Sequence, residues 1–461
     1  MNPLEHPDIA SARKNALHIF KAGVDAADPY RAVRQCLSID NGQIEIRLNP
    51  DNYQSKRIGN WSKIHLLAFG KAACAMTKAV QDAIPETLFT DRGLVVTNYE
   101  NVIPLGANEV IGASHPLPDA AGLAAAKKMA ARVRNVHANE LILVLISGGG
   151  SALIPFPVDT ITLQEKIATT NLLLVSGATI NQINCVRKHL SQLKGGGLAR
   201  LAAPADLHAF ILSDVLGDDL SAIASGPTVP DDTSFADAVE VIKSRGIWAS
   251  IPAAVRHHLE QGRLGLLPET PKSGDQVFAT TSHTLVGSNA ISVTAMLEAS
   301  AALGYQSQLY SAKLCGIARE EAEKWVVHAK QLLANGISKP VALLAGGETT
   351  VNVTGHGQGG RNQEMALAFA MAAERHGLTA NWTFLSGGTD GRDGPTDATG
   401  GLVDPDTLKR LANSTIMPQQ MLANNDAYNA LKHSQDLIMT GATGTNVADL
   451  QVLLIQPTLS K

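Results

Sequence analysis

The chain predicts an α/β fold in two domains, mostly parallel sheet with helices on both faces in the N-terminal domain. Its 461 residues exceed what one ordinary hydrophobic core organises. Short continuous apolar runs alternate with helical patterns, as expected for strands buried on both faces. Forty glycines against 4% aromatic residues favour many tight strand-to-helix turns over an aromatic-rich sandwich.

Two helices are expected to open the chain. The second starts at Asp28 as N-cap with Pro29 in the first turn. After a polar loop, Ile64 to Phe69 reads as a buried strand that turns at Gly70-Lys71 into a helix from Ala72 to about Ile84. Arg92 to Thr97 is a further strand, and a helix from about Asp119 to Val136 leads into the strand Leu141 to Ile146. His208 to Leu212 runs into Ser213-Asp214-Val215, with a helix expected over Leu220 to Ala224. A Pro- and Gly-containing stretch from Gln261 to Asp275 reads as a linker, which sets expected domains at 1–275 and 276–461. Beyond it, Val351 to Thr354 reads as a hairpin strand, and Asn362 to Glu374 is rich in strong helix formers.

Composition excludes several classes. A formal net charge of -4 gives no basic face for nucleic acid. No apolar run is long enough to span a bilayer, and the start lacks a signal-peptide pattern, so a cytoplasmic enzyme is expected. The four cysteines lie far apart without a C-x-x-C pair, which points to buried free thiols in a reducing compartment.

The chemistry-bearing residues cluster at turns. Ser147-Gly148-Gly149-Gly150-Ser151 follows a buried strand, where successive N–H groups form an anion nest at a helix start. A tight turn without ligand is the plainer alternative. Lys71, on another strand-to-helix turn, is a compact cation suited to a phosphoryl group, although most single lysines are merely solvated. Asp214 ends a strand and suits Mg²⁺ or proton acceptance, whereas Asp218 and Asp219 read as helix caps. Gly359-Gly360-Arg361-Asn362 places a guanidinium and free N–H groups at a helix start. The formal Gly355-x-Gly357-x-x-Gly360 match to a dinucleotide fingerprint lacks the strand context and the later acidic residue. Asp390, Asp393 and Asp397 occupy a glycine-rich loop that fits weak cation binding or Asx-turns. His115 is open to substrate contact, with a structural loop histidine the plainer reading.

Together these words resemble the glycerate 2-kinases of the MOFRL class, a family whose members are often labelled hydroxypyruvate reductases. The resemblance rests on Ala68–Ala72, Leu145–Leu153, Leu212–Asp218, Ser225–Thr228, Gly359–Glu364, Gly388–Gly391, Gly394–Asp397 and Thr443–Val447, in order along nearly the whole chain. It implies a Rossmann-like N-terminal domain, a smaller α/β MOFRL domain and an active site in the interdomain cleft. It implies ATP and Mg²⁺ as cofactors and D-glycerate as substrate, phosphorylated at the 2-hydroxyl. It gives Lys71 and Arg361 catalytic roles and maps the family's Ser-Asp-Val aspartate to Asp214. Ser147 to Ser151, Gly359, Gly360 and Asn362 are the expected phosphate or substrate binders, and Asp214 and Asp390 the metal candidates. One departure is Gly387, where the family carries Asp. The rival reading is NAD(P)H-dependent reduction of hydroxypyruvate. A non-enzymatic phosphometabolite sensor is the third, and a homodimer is compatible with all three.

Overall fold

The structure is a computed structural model that describes residues 7–50, 52–90 and 92–457. The chain forms two compact units, Pro29–Val286 and a second that joins the segment up to Asp28 to Gly287 onward. The expected boundary at 275/276 is therefore displaced to 286/287, because the strand Thr281–Gly287 completes the first sheet.

That first sheet has six strands in the order Glu109–Ala113, Leu94–Asn98, Ile64–Phe69, Leu141–Ile146, Asp206–Leu212, Thr281–Gly287. The first five pair in parallel. Leu141–Ile146 is fully buried along its length, which explains its unbroken apolar run. The polar loop expected before Ile64 instead holds a three-stranded antiparallel sheet, Leu37–Asp40, Gln43–Arg47 and Lys56–Gly59. The helix expected over Leu220 to Ala224 is only a turn of 3₁₀ helix, Ile223–Ser225, with Ala224 at positive φ.

The second unit has a mixed six-stranded sheet, ordered Gln306–Leu314, Val341–Gly347, Asp449–Ile455, Trp382–Gly388, Gly400–Val403, Leu437–Ile438. Asp449–Ile455 runs antiparallel to both of its neighbours. Val351 to Thr354 form no strand. Three of the four cysteines are buried as expected, but Cys315 is exposed.

The N-terminal helix Pro7–Ala26 belongs to this second unit for two reasons. Ala16, Ile19 and Phe20 are buried against Val293, Met296, Leu385 and Leu450. Arg13 also reaches two buried carboxylates, Asp404 and Asp436, the latter at 2.9 Å. Arg410 bonds the same pair, at 3.1 Å to Asp404 and 2.7 Å to Asp436. Burial pushes the Asp436 carboxyl up against the pull of both arginines. For Asp404 burial also opposes the charge, but Arg410 and Arg13 hold the carboxyl below its ordinary value. Removing one cation leaves buried negative charge undercompensated, so Arg13→Met is expected to cost on the order of 3 kcal/mol. Denaturant unfolding of the full chain measures this, and an unchanged midpoint would show that the helix is held by packing alone.

Candidate functional site

Strands Ile64–Phe69 and Leu141–Ile146 are parallel neighbours in register, Phe69 opposite Ile146. Their carboxyl ends therefore deliver Gly70-Lys71 and Ser147–Ser151 side by side. The Lys71 N–H donates to the Gly148 carbonyl at 2.9 Å, and the Ala72 N–H to Ser147 Oγ at 3.0 Å. Gly70 adopts φ +126°, and a Cβ there would lie 2.1 Å from Ser147 Oγ, so the approach needs glycine. The next strand, Asp206–Leu212, brings Asp214 to the same edge.

Gly148 is the closest point of the cluster. A Cβ on it would sit 2.2 Å from Asp214 Oδ2. A Cβ on Gly149 would meet His115 Cδ2 at 3.1 Å and Lys71 Cγ at 3.4 Å. Lys71, His115, Asp214 and the glycine triplet thus share one small volume. Burial raises the Asp214 carboxyl above its ordinary value, against the lowering effect of its own backbone N–H and of Lys71. Partial burial, then the Lys71 charge, hold the His115 imidazole below its usual value.

The triplet differs from expectation in one respect. The helix it opens is only Gly150–Leu153, ended by Pro155, so a helix dipole contributes little here. Ser147 is fully buried and its hydroxyl is engaged by Ala72. Ser151 faces a cavity of about 780 Å³ that Gly149, His115 and Asp214 also line. Its hydroxyl lies 2.8 Å from Ser225 Oγ and accepts from Lys194 Nζ at 3.1 Å. Asp219 accepts the Ser221 N–H at 2.8 Å, a turn-forming bond, rather than capping a regular helix.

In the second unit Arg361 opens the helix Arg361–Arg375. Its guanidinium forms a two-pronged pair with Asp449, Nε to Oδ2 at 2.5 Å and Nη2 to Oδ1 at 2.9 Å. Nη1 lies 2.9 Å from the exposed Glu348. Burial opposes the Arg361 charge, but the bond and charge of Asp449, with Glu348 and Asp393, outweigh it and bind the proton more tightly. Asp393 caps this helix: it accepts the Asn362 N–H at 3.2 Å and the Gln363 N–H at 2.8 Å. Its carboxyl is pushed up to about 7 by burial, with the Gln363 N–H opposing and the Asp449 charge adding. A Cβ on Gly360 would lie 2.3 Å from Asp393, so this glycine makes room for the cap. Asn362 is buried and its side chain is held by Asp393 and Ser386. Gly359, in contrast, would tolerate a Cβ at ordinary contact distance.

The loop before Arg361 is pinned. The N–H groups of Thr354 and Gly355 donate to Asn425, that of His356 to Asn424 and that of Gln358 to Asp426. These donors are spoken for, so the loop up to Gln358 is no open phosphate nest. Asp397 accepts from the Tyr428 hydroxyl at 2.8 Å, and Asp390 from the Arg392 N–H at 3.0 Å. Asp214 and Asp390, the two metal candidates, stand on different units. Among the described residues no group of three or more His, Cys, Asp or Glu is arranged to hold a metal ion.

Sequence reasoning missed Asp449 and did not place His115 beside Lys71 and Gly149. Asp449 looks like the polar start of an apolar strand, and its partner lies 88 positions away. His115 sits in a proline-flanked loop whose destination no local pattern discloses.

The model of DUF4147, a domain of unknown function, matches residues 15–260, and that of the MOFRL family matches residues 341–449. The glycerate 2-kinase of Pyrococcus horikoshii is 37% identical over 446 residues, covering 96% of this chain and 97% of that protein. An Agrobacterium vitis protein bearing the name hydroxypyruvate reductase is 39% identical over 449 residues, 96% of this chain and 95% of that one. The crystal structure of glycerate kinase from Thermotoga maritima matches with a TM-score of 0.84 at 37% identity, over 97% of this chain and 100% of that one. The chain belongs to the glycerate 2-kinase family of the MOFRL class.

The contact between Gly148 and Asp214 generates a direct prediction. Gly148→Ala is expected to force the Asp214 carboxylate away and to destabilise the first unit by roughly 1–3 kcal/mol through overpacking. A thermal melt and a crystal structure of the variant check it, and an unmoved Asp214 with an unchanged melt would contradict the packing described.

Proposed function

We infer that this chain is an ATP-dependent glycerate kinase, and propose that it phosphorylates the 2-hydroxyl of D-glycerate to give 2-phospho-D-glycerate and ADP. Relatives named glycerate kinase support the activity over almost the full length. At residue level the reading is carried by one observation, the convergence of Lys71, His115 and Asp214 on the glycine triplet at a strand edge.

Phosphoryl transfer asks for positioning and cations more than covalent chemistry, since charge spreads over the transferring oxygens. Lys71 would supply one cation and Arg361 the other. Asp449 would hold the Arg361 fork in a fixed orientation, while the exposed Glu348 contact is the one a phosphoryl oxygen would replace. Asp214 would accept the proton of the substrate hydroxyl, and a carboxyl raised above its ordinary value is the better acceptor. The Gly148 and Gly149 backbone and the Ser151 hydroxyl would bind substrate oxygens. Gly360 and Asn362 would shape the Arg361 turn through Asp393, and Gly359 would leave room for a phosphate oxygen.

Mg²⁺ fits this set as a partner of the nucleotide, because such ions typically take one or two protein carboxylates and complete their shell with phosphates and water. Asp214 and Asp390 are hard oxygen donors without an ion pair among the described residues, and either one would serve as such a carboxylate. The ion's contribution is to neutralise phosphate charge.

The reductase reading has less support, since the fingerprint glycines lie in the loop whose N–H groups Asn424, Asn425 and Asp426 occupy. Among the described residues no helix is long and apolar enough to cross a membrane. A cytoplasmic location accords with cysteines that form no disulfide among the described residues.

An ADP-release assay with D-glycerate, run beside NADH oxidation with hydroxypyruvate, is expected to respond only in the first. Lys71→Ala and Arg361→Ala should each lower kcat by on the order of 10²–10³ with a smaller change in KM. Near-normal turnover in either variant would remove that residue from the mechanism. The acid limb of the wild-type kcat/KM profile should lie above the ordinary carboxylate range, because Asp214 acts only when deprotonated.

A further inference from the structure

The cavity of about 780 Å³ in the first unit extends well beyond the cluster around Lys71. A three-carbon acid fills a small part of such a volume, which is typical of sites for larger organic ligands. Its wall also carries three basic side chains, Lys166, Arg187 and Lys194.

Two of these basic side chains stand on helices, and Lys194 stands in the turn before Gly197–Ala202. Lys166 lies on the helix Leu163–Val175 and Arg187 on the helix Ile180–His189, each opened by a complete capping box. Leu173, Ile183 and Val186 anchor both helices in one apolar cluster with Phe235. Lys166 is 6% exposed and its Nζ donates to the Leu190 carbonyl at 3.1 Å. Lys194 is 1% exposed and donates to Ser151, at 2.9 Å to the carbonyl and 3.1 Å to the hydroxyl. Among the described residues no carboxylate is ion-paired with any of the three. The neighbouring Lys188, which does not line the cavity, is paired with buried Asp231 at 3.2 Å. The fold thus pairs Lys188 with a carboxylate and leaves Lys166, Arg187 and Lys194, on the cavity wall, without one among the described residues.

Gathering positive charge in a half-dry wall is costly unless an anion compensates it. Burial, then the Arg187 charge, bring Lys166 down to about 7, and burial lowers Lys194 and Arg187 too. The rest of the wall suits a flat apolar group: Leu117, Leu174 and Ile180 line it with more than half their surface exposed. A multiply charged anion attached to an apolar ring matches this combination, and a lone carboxylate does not.

We propose that this cavity is the nucleotide subsite, with Lys166, Arg187 and Lys194 as the charge that holds the polyphosphate of ATP. The adenosine lies against Leu117, Leu174 and Ile180, and the terminal phosphate points to the Lys71 end. D-Glycerate is then left to the glycine triplet and Asp214. The choice of ATP rests on the kinase reading, whereas the affinity for a polyphosphate does not.

The test is calorimetric titration of the full chain with ADP and, separately, with D-glycerate. Arg187→Met should weaken ADP binding by on the order of tenfold, the loss of one charge-assisted contact. Leu174→Glu, at an exposed rim position where folding is not at stake, should weaken ADP as well. D-Glycerate affinity should be unchanged in both. Unaltered ADP affinity in both variants overturns the proposal. So does a loss confined to D-glycerate, which would make the cavity the acid's site. ADP binding that both variants lose, in a wild-type chain that releases no ADP with glycerate, would retain the subsite and sink the kinase reading. Turnover with glycerate and ADP affinity indifferent to both substitutions would do the reverse.

Discussion

A missing side chain at Gly148 is the constraint on which the rest of the first unit's chemistry depends. With any Cβ there, the Asp214 carboxylate could not approach the end of the strand Leu141–Ile146. The neighbouring turn is equally intolerant, since Gly70 leaves room only for Ser147. Three parallel strands in register thus bring a lysine, a run of backbone donors and a carboxylate into one crevice. Open α/β sheets place ligands at this edge, outside the carboxyl ends of the strands. The cost is a carboxyl held above its ordinary value by burial, which is also what makes it useful as a proton acceptor.

The second unit solves a different problem, that of keeping a guanidinium in one place. Arg361 is fixed by the buried Asp449, and the helix it opens is capped by Asp393. Two buried carboxylates so near each other would repel, and the Asp393 carboxyl is accordingly pushed up to about 7, chiefly by burial, with Asp449 adding. The arginine relieves part of that repulsion while being oriented by it. Fork geometry explains why arginine is required: lysine cannot meet both oxygens of one carboxylate in a fixed plane.

Much of this was legible in the sequence where local rules govern. Continuous apolar runs gave the central strands, and Pro29 and Asp119 marked helix starts correctly. The turns bearing Lys71, the glycine triplet and Asp214 followed from those strands. Long-range partners were not legible. Asp449 and Arg361 meet through sheet topology, and Arg13 joins Asp404 and Asp436 across almost the entire chain. Lys166 and Arg187 sit on amphipathic helices where a lysine or arginine ordinarily reads as a solvated face. The short antiparallel sheet over 37–59 was hidden because its strands are brief and half exposed. The glycine spacing at 355–360 lacked the context of a dinucleotide fingerprint, and the loop is instead pinned by Asn424, Asn425 and Asp426.

The central claim is transfer of a phosphoryl group to the secondary hydroxyl of glycerate. Phosphorus NMR of the full chain incubated with ATP, Mg²⁺ and D-glycerate tests it most directly. The account predicts a new phosphomonoester resonance split into a doublet by the single proton on C2, appearing together with ADP. A triplet from the paired protons on C3 would move the reaction to the other hydroxyl. No new phosphomonoester, with NADH consumed on hydroxypyruvate, would contradict the account outright.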